Sequence, residues 1–125
     1  MSRLPAVWIL TVLILSVCLF DQCYVNQTVE EMDAHIEQCR LAAAAGDMQT
    51  AETLIAQTNQ VWGRRRKVLA AMIEQSVLDE VDDQLLYTGS MTRYHPEETV
   101  PALIQCRCMI REINYQERMS ITSFF

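Results

Sequence analysis

Histidine is nearly absent from this sequence: there are two, His35 and His95, sixty residues apart. With no C-x-x-C among the cysteines at 18, 23, 39, 106 and 108, that separation excludes the usual metal-ligand patterns. Only three glycines occur, and none sits in a phosphate-cradling loop. No nucleophile has a base beside it and no Glu-x-x-His motif is present, so no cofactor and no catalytic residue is expected. Alternating apolar and polar residues of strand length are also missing, which removes β-structure from consideration. Basic residues are scarce, ten against sixteen acids for a formal net charge of −6. That balance argues against a nucleic-acid or general anionic partner.

What is present begins with an apolar run. Residues 4–20 read LPAVWILTVLILSVCLF, uncharged, with Thr11 and Ser16 the polar members. A membrane-crossing helix needs roughly 17 to 25 such residues, and Trp8 with the flanking Arg3 and Asp21 suits interfacial ends. A cleaved signal peptide has the same plan, but it wants small residues at its cleavage site, and Asp21-Gln22-Cys23-Tyr24 offers none. Leu15-Ser16-Val17-Cys18 has the outline of a lipoprotein box with a bulky Val17 where a small residue belongs. The reading is a retained anchor. Arg3 precedes it, and no basic residue follows until Arg40, which predicts a cytoplasmic N-terminus and residues 21–125 outside.

Beyond the anchor the pattern is helical throughout. Val29, Met32, Ile36, Cys39 and Ala43 recur at steps of three and four, predicting a helix over about 28–45, with Thr28 and Glu31 as a capping box unless the anchor helix continues into it. Gly46-Asp47 is the clearest turn: glycine closes one helix in the left-handed conformation and aspartate caps the next. A second helical pattern runs from 47 to about 87, bent near Gly63 or Gln75. Thr88–Tyr94 reads as a loop, and a last helix covers 96–122 with its regular part starting near Thr99. The fold class is all-α: an anchor helix followed by an antiparallel bundle of three or possibly four helices.

Short turns make neighbours antiparallel, which predicts Cys39 opposite Leu54, Met32 opposite Trp62, Cys106 opposite Val77 and Ile110 opposite Ile73. The expected core is Trp62, Met32, Ile36, Ile73, Ile110, Ile113 and Phe124, with Trp62 where neighbouring helices converge. Four basic residues follow it in Trp62-Gly63-Arg64-Arg65-Arg66-Lys67. On a helix they point in four directions about 100° apart, so they form no single patch. Arg65 falls on the buried stripe and is expected to pair with Glu117, while the others lie toward lipid headgroups. The acids of Asp79-Glu80-x-Asp82-Asp83 read as a solvated face.

These residues resemble a known pattern. The anchor, Gly46-Asp47 followed by Ala51, Trp62, Ile73-Glu74-Gln75, Leu78-Asp79, Val81, Ile110, Ile113, Glu117, Ser120-Ile121 and Phe124 resemble an uncharacterised family of short single-anchor helical proteins from clostridia and related Gram-positive bacteria. Gln75 and Ser123 stand where that family tends to carry histidine and asparagine. The resemblance implies the architecture and brings no substrate, cofactor or catalytic residue.

Two functional classes follow. One is a non-catalytic interaction or scaffold module at the outer face of a bacterial membrane, its partners being membrane lipid and another envelope protein or a second copy. The other is a thiol-based redox or metal-responsive sensor using Cys39, Cys106 and Cys108. Cys39 and Cys106 lie on core stripes and would form a disulfide in an oxidising exterior or act as small buried hydrophobes. Cys106 and Cys108 point to nearly opposite sides of one helix and cannot bridge each other.

Overall fold

A computed structural model describes the backbone of residues 3–124 and the side chains of residues 3–115. The expected contributions of Glu117 and Phe124 therefore lie outside the described side chains. The described chain is four helices: α1 (Arg3–Ala44), α2 (Met48–Leu69), α3 (Gln75–Tyr94) and α4 (Thr99–Phe124), with a 3₁₀ turn at Pro96–Glu98 before α4. There is no strand among the described residues.

The anchor and the first bundle helix are one element. After Pro5, which sits harmlessly in the first turn, no proline or glycine occurs before Gly46, so nothing interrupts α1 for 42 residues. Thr28 is consequently a buried mid-helix residue whose hydroxyl donates to the Tyr24 carbonyl at 2.9 Å, and the expected capping box does not form. Gly46 takes φ +81°, and the Asp47 carboxylate accepts from the Thr50 backbone N–H at 3.2 Å, as the turn chemistry predicts.

Two boundaries differ from expectation. α2 continues through Gly63 without interruption and ends at Leu69, so the expected long second helix is two helices joined by residues 70–74. No glycine or proline marks this break; it comes where Leu69 and Leu78, both fully buried, must enter the same core from opposite directions. Conversely, the expected loop at Thr88–Tyr94 is helix. Thr88 and Thr92 return their hydroxyl protons to the carbonyls of Gln84 and Thr88, both at 2.8 Å, and are buried there, which outweighs the weak helix preference of Gly89 and Ser90.

The four helices close a ring in which α1 and α3 each pack against both α2 and α4. The core runs through Val25, Met32, Ile36, Ile55, Trp62, Leu69, Leu78, Val81, Leu85, Leu103, Ile110 and Ile113. Ile73 packs against it from the α2–α3 connection, partly buried. Residues 4–20 of α1 project from the bundle with their apolar side chains uncovered by the rest of the chain. α1 is the described helix long and apolar enough to cross a membrane.

Two registers differ from expectation. Although the Gly46-Asp47 turn lies where expected, Cys39 meets Thr58 rather than Leu54, close to one helical turn along α2. With the α3–α4 reversal at Pro96–Glu98 instead of near residue 91, Cys106 meets Thr88 rather than Val77.

Candidate functional site: the basic run and its partners

The four consecutive basic residues sit in the last two turns of α2, the end that faces the anchor. The helix sends them three ways. Arg65 turns to α1, where its Nε donates to Glu31 Oε2 at 3.1 Å and its guanidinium lies 5.1 Å above the Tyr24 ring centroid. The hydrogen bonds from Arg65 to Glu31, with Tyr24 adding to them, hold the guanidinium firmly protonated. Arg65 is paired with Glu31, which the antiparallel α1–α2 register brings opposite it, while the expected partner Glu117 lies outside the described side chains.

Arg66 turns to α3. Its Nε donates to Asp82 Oδ2 and its Nη2 to Asp79 Oδ1, both at 2.7 Å. The other Asp82 oxygen accepts from the indole Nε1–H of Trp62 at 2.6 Å. A buried indole needs an acceptor, and here the acceptor is a carboxylate already held by a guanidinium. Two of the acids assigned to a solvated face are thus structural. Trp62, 3% exposed, is a core residue as expected, and its polar contact runs to α3.

Arg64 and Lys67 remain, three apart and exposed on the outer face of α2 with Gln60 and Gly63 between and beside them. Among the described residues neither takes part in an ion pair. These two are the part of the run available to a ligand or a surface.

The thiols form a second constellation. Cys39, Thr58, Thr88 and Cys106 come one from each helix and all are buried. Cys39 Sγ lies 3.6 Å from Thr58 Oγ1, and Cys106 Sγ lies 3.2 Å from Thr88 Oγ1. Both threonine hydroxyls donate to the carbonyls four residues back, Leu54 and Gln84, each at 2.8 Å. With those protons committed to the backbone, the thiols are placed to donate to the hydroxyl oxygens. Burial pushes both thiols up, and Cys39 close by adds to the effect on Cys106. Both are free and buried, the small-hydrophobe arrangement of the two alternatives; Cys108 is exposed, on another side of α4 from Cys106. Among the described residues no group of three or more His, Cys, Asp and Glu side chains could hold a metal ion.

The α1–α4 seam is acid–base. Arg107 reaches Glu37 at 2.9 Å and Asp33 at 3.5 Å, and Arg111 reaches Asp33 at 3.2 Å. Arg40, on Glu37's own helix, holds the Glu37 carboxyl below the usual carboxylate range, against the opposing effect of desolvation, with Arg107 contributing. Sequence reasoning missed this seam because its partners are some seventy residues apart. At the far end of the bundle an open cleft of about 260 Å³ lies between α2 and α3, lined by Glu52, Ile55, Leu85, Gly89 and Arg93. Among the described residues no constellation sets a nucleophile beside a base.

A family model described as "Domain of unknown function (DUF4363)" matches residues 19–123, and the chain belongs to that family. No curated protein matches it, and no solved structure does.

Proposed function

We propose that this chain, as a member of that family, is a single-pass membrane protein whose helical bundle is a non-catalytic interaction or scaffold module at the outer face of a bacterial membrane. The observation that carries this reading is the unbroken α1. A helix that leaves an uncovered apolar run and enters the bundle without a hinge sets the bundle at a definite height and orientation relative to the bilayer. Arg3 before the span, with no Lys or Arg after it until Arg40, supports a cytoplasmic N-terminus and a bundle outside. The partner is another envelope protein or a second copy of the chain.

The thiol-sensor reading is the weaker of the two. Reactive thiols are exposed and thiolate-prone, whereas Cys39 and Cys106 are buried, hydrogen-bond donors, and shifted away from thiolate. The test is cross-linking in intact membranes followed by capture of the full chain. A stoichiometric protein partner recovered equally with and without reductant supports the module; a partner or oligomer that appears only on oxidation rejects it in favour of the sensor.

A further inference from the structure

We infer that the end of the bundle nearest the anchor is a second membrane contact, in which Arg64 and Lys67 bind the anionic headgroups of the bilayer that α1 crosses and the α2–α3 connection rests on the headgroup layer. This rests on the reading of residues 4–20 as a retained anchor and goes beyond it by naming a lipid-binding face.

Height is the first argument. The contacts Cys39–Thr58 and Glu31–Arg65 set α2 against α1, so Lys67 lies level with about residue 29 or 30 of α1 and Leu69 with about residue 27 or 28. The apolar run ends at Phe20. At roughly 1.5 Å per residue, Leu69 and the connection after it stand about 10 Å above the hydrocarbon edge, and Lys67 about 14 Å. The headgroup layer occupies roughly 5–7 Å of that distance, and a long basic side chain spans most of the remainder. Because α1 has no hinge, this height belongs to the fold.

Composition of that end is the second. Residues 70–73 read Ala-Ala-Met-Ile, with both alanines exposed, and Val68 just before them is 40% exposed. Loops on a soluble surface are usually polar; an apolar reversal beneath two free cations is the pattern of an interfacial contact. Phe20 and Tyr24, stacked with centroids 6.2 Å apart, lie one to two turns nearer the apolar run on α1, where an aromatic belt marks the interface below the connection.

Charge is the third. Arg65 and Arg66 are consumed by Glu31, Asp79 and Asp82, which leaves Arg64 and Lys67 together on one outer face. Glu74 is the exposed acid of the connection and opposes them. The exterior as a whole is acidic, so attraction to an anionic bilayer has to be local. A basic residue near an anionic surface contributes about 1 kcal/mol, roughly a fivefold bias, fading within a Debye length.

The experiment uses the full chain in nanodiscs of phosphatidylcholine alone or with a third phosphatidylglycerol. A fluorophore at Ala71→Cys, with Cys23 and Cys108 changed to Ser, is quenched by a headgroup spin-labelled lipid. Quenching should be stronger in the anionic discs, fall with added salt, and drop to the neutral-disc level in Arg64→Glu/Lys67→Glu, whose helicity checks its folding. Equal quenching in both discs, or an unchanged double variant, overturns the lipid contact. So does a double variant that loses a cross-linked protein partner while quenching stays the same. Co-elution of the chain with the discs reads the anchor separately: a chain that incorporates but shows no charge-dependent quenching refutes the contact and leaves the anchor standing. Failure to incorporate refutes both.

Discussion

Trp62 donates its indole N–H to Asp82 across the α2–α3 interface, and Arg66 holds the same carboxylate by its other oxygen. One aspartate therefore joins the largest core side chain of α2 to the basic run at its end.

Replacing Trp62 by alanine should cost about 3–5 kcal/mol in unfolding free energy, through lost burial and the cavity left behind. Trp62→Phe keeps most of the burial and removes the donor from Asp82, so its cost should be smaller, roughly 1–2 kcal/mol. Thermal and denaturant melts of the two variants in one detergent measure the difference. Equal losses would mean that the hydrogen bond to Asp82 contributes nothing beyond the packing.

Arg65 and Glu31 should be coupled. Arg65→Glu sets two acids together beside Tyr24 and lowers stability, and adding Glu31→Arg should restore it. The pair is about a third exposed, so the coupling in a double-mutant cycle should be modest, about 0.5–1 kcal/mol. Rescue by Glu117→Arg in place of Glu31→Arg would show that Arg65 uses the other partner.

The two glycines with open surroundings should respond in opposite directions. Gly46 sits at φ +81°, where a side chain is strained whatever the space around it, so Gly46→Ala should destabilise by about 1 kcal/mol. Gly63 is helical, and a Cβ there meets nothing within 4 Å, so Gly63→Ala should stabilise by roughly 0.5–1 kcal/mol. Melting temperatures of the pair check both signs, and a loss at Gly63 would reveal a requirement for a bare backbone at that face.

Alkylation should separate the cysteines by burial. Cys23 and Cys108 react promptly with a water-soluble reagent, whereas Cys39 and Cys106 react only after unfolding. Mass spectrometry with and without denaturant reads this, and an oxidant should leave the Cys39–Cys106 pair unbridged. Rapid labelling of Cys106 in the native chain would contradict the four-residue thiol and hydroxyl layer.

Acid should loosen the α1–α4 seam. Arg40 chiefly, with Arg107, lowers the native Glu37 carboxyl below its unfolded value, so its contribution is complete above the ordinary glutamate range and is lost as pH falls through the lowered native value. Asp47, held down by the Thr50 hydroxyl and N–H, behaves likewise at the α2 cap. Glu37→Gln should flatten the acid limb of stability against pH. An unchanged limb would place the acid sensitivity at other carboxylates.

Much of the fold was legible because its signals are local. The apolar run, the all-helical periodicity, the Gly46-Asp47 reversal and the start of α4 at Thr99 each depend on residues within a turn or two of one another. Met32, Ile36, Trp62, Ile110 and Ile113 were identifiable as core from spacing alone, because a stripe at steps of three and four has one face to bury.

The candidate site was less legible, and Arg65 shows why. Its position on the buried stripe could be read from the sequence, but Glu31 reaches it only in the α1–α2 register that packing sets, nearly a turn from the one a simple antiparallel count across Gly46-Asp47 gives. The same uncertainty paired Cys106 with Val77 when the α3–α4 reversal was placed too early.

By itself, then, the sequence determined the all-helical class, the anchor-like first segment, the Gly46-Asp47 reversal and most of the residues that must be covered, because these follow from short-range periodicity and composition. The tertiary structure decided that α2 stops at Leu69, that Asp82 serves Trp62 and Arg66, and that, among the described residues, Arg64 and Lys67 of Arg64-Arg65-Arg66-Lys67 take no part in an ion pair. Each of these depends on which carboxylate or apolar surface arrives from a helix far away in the chain, and that is settled only when four helices pack at once.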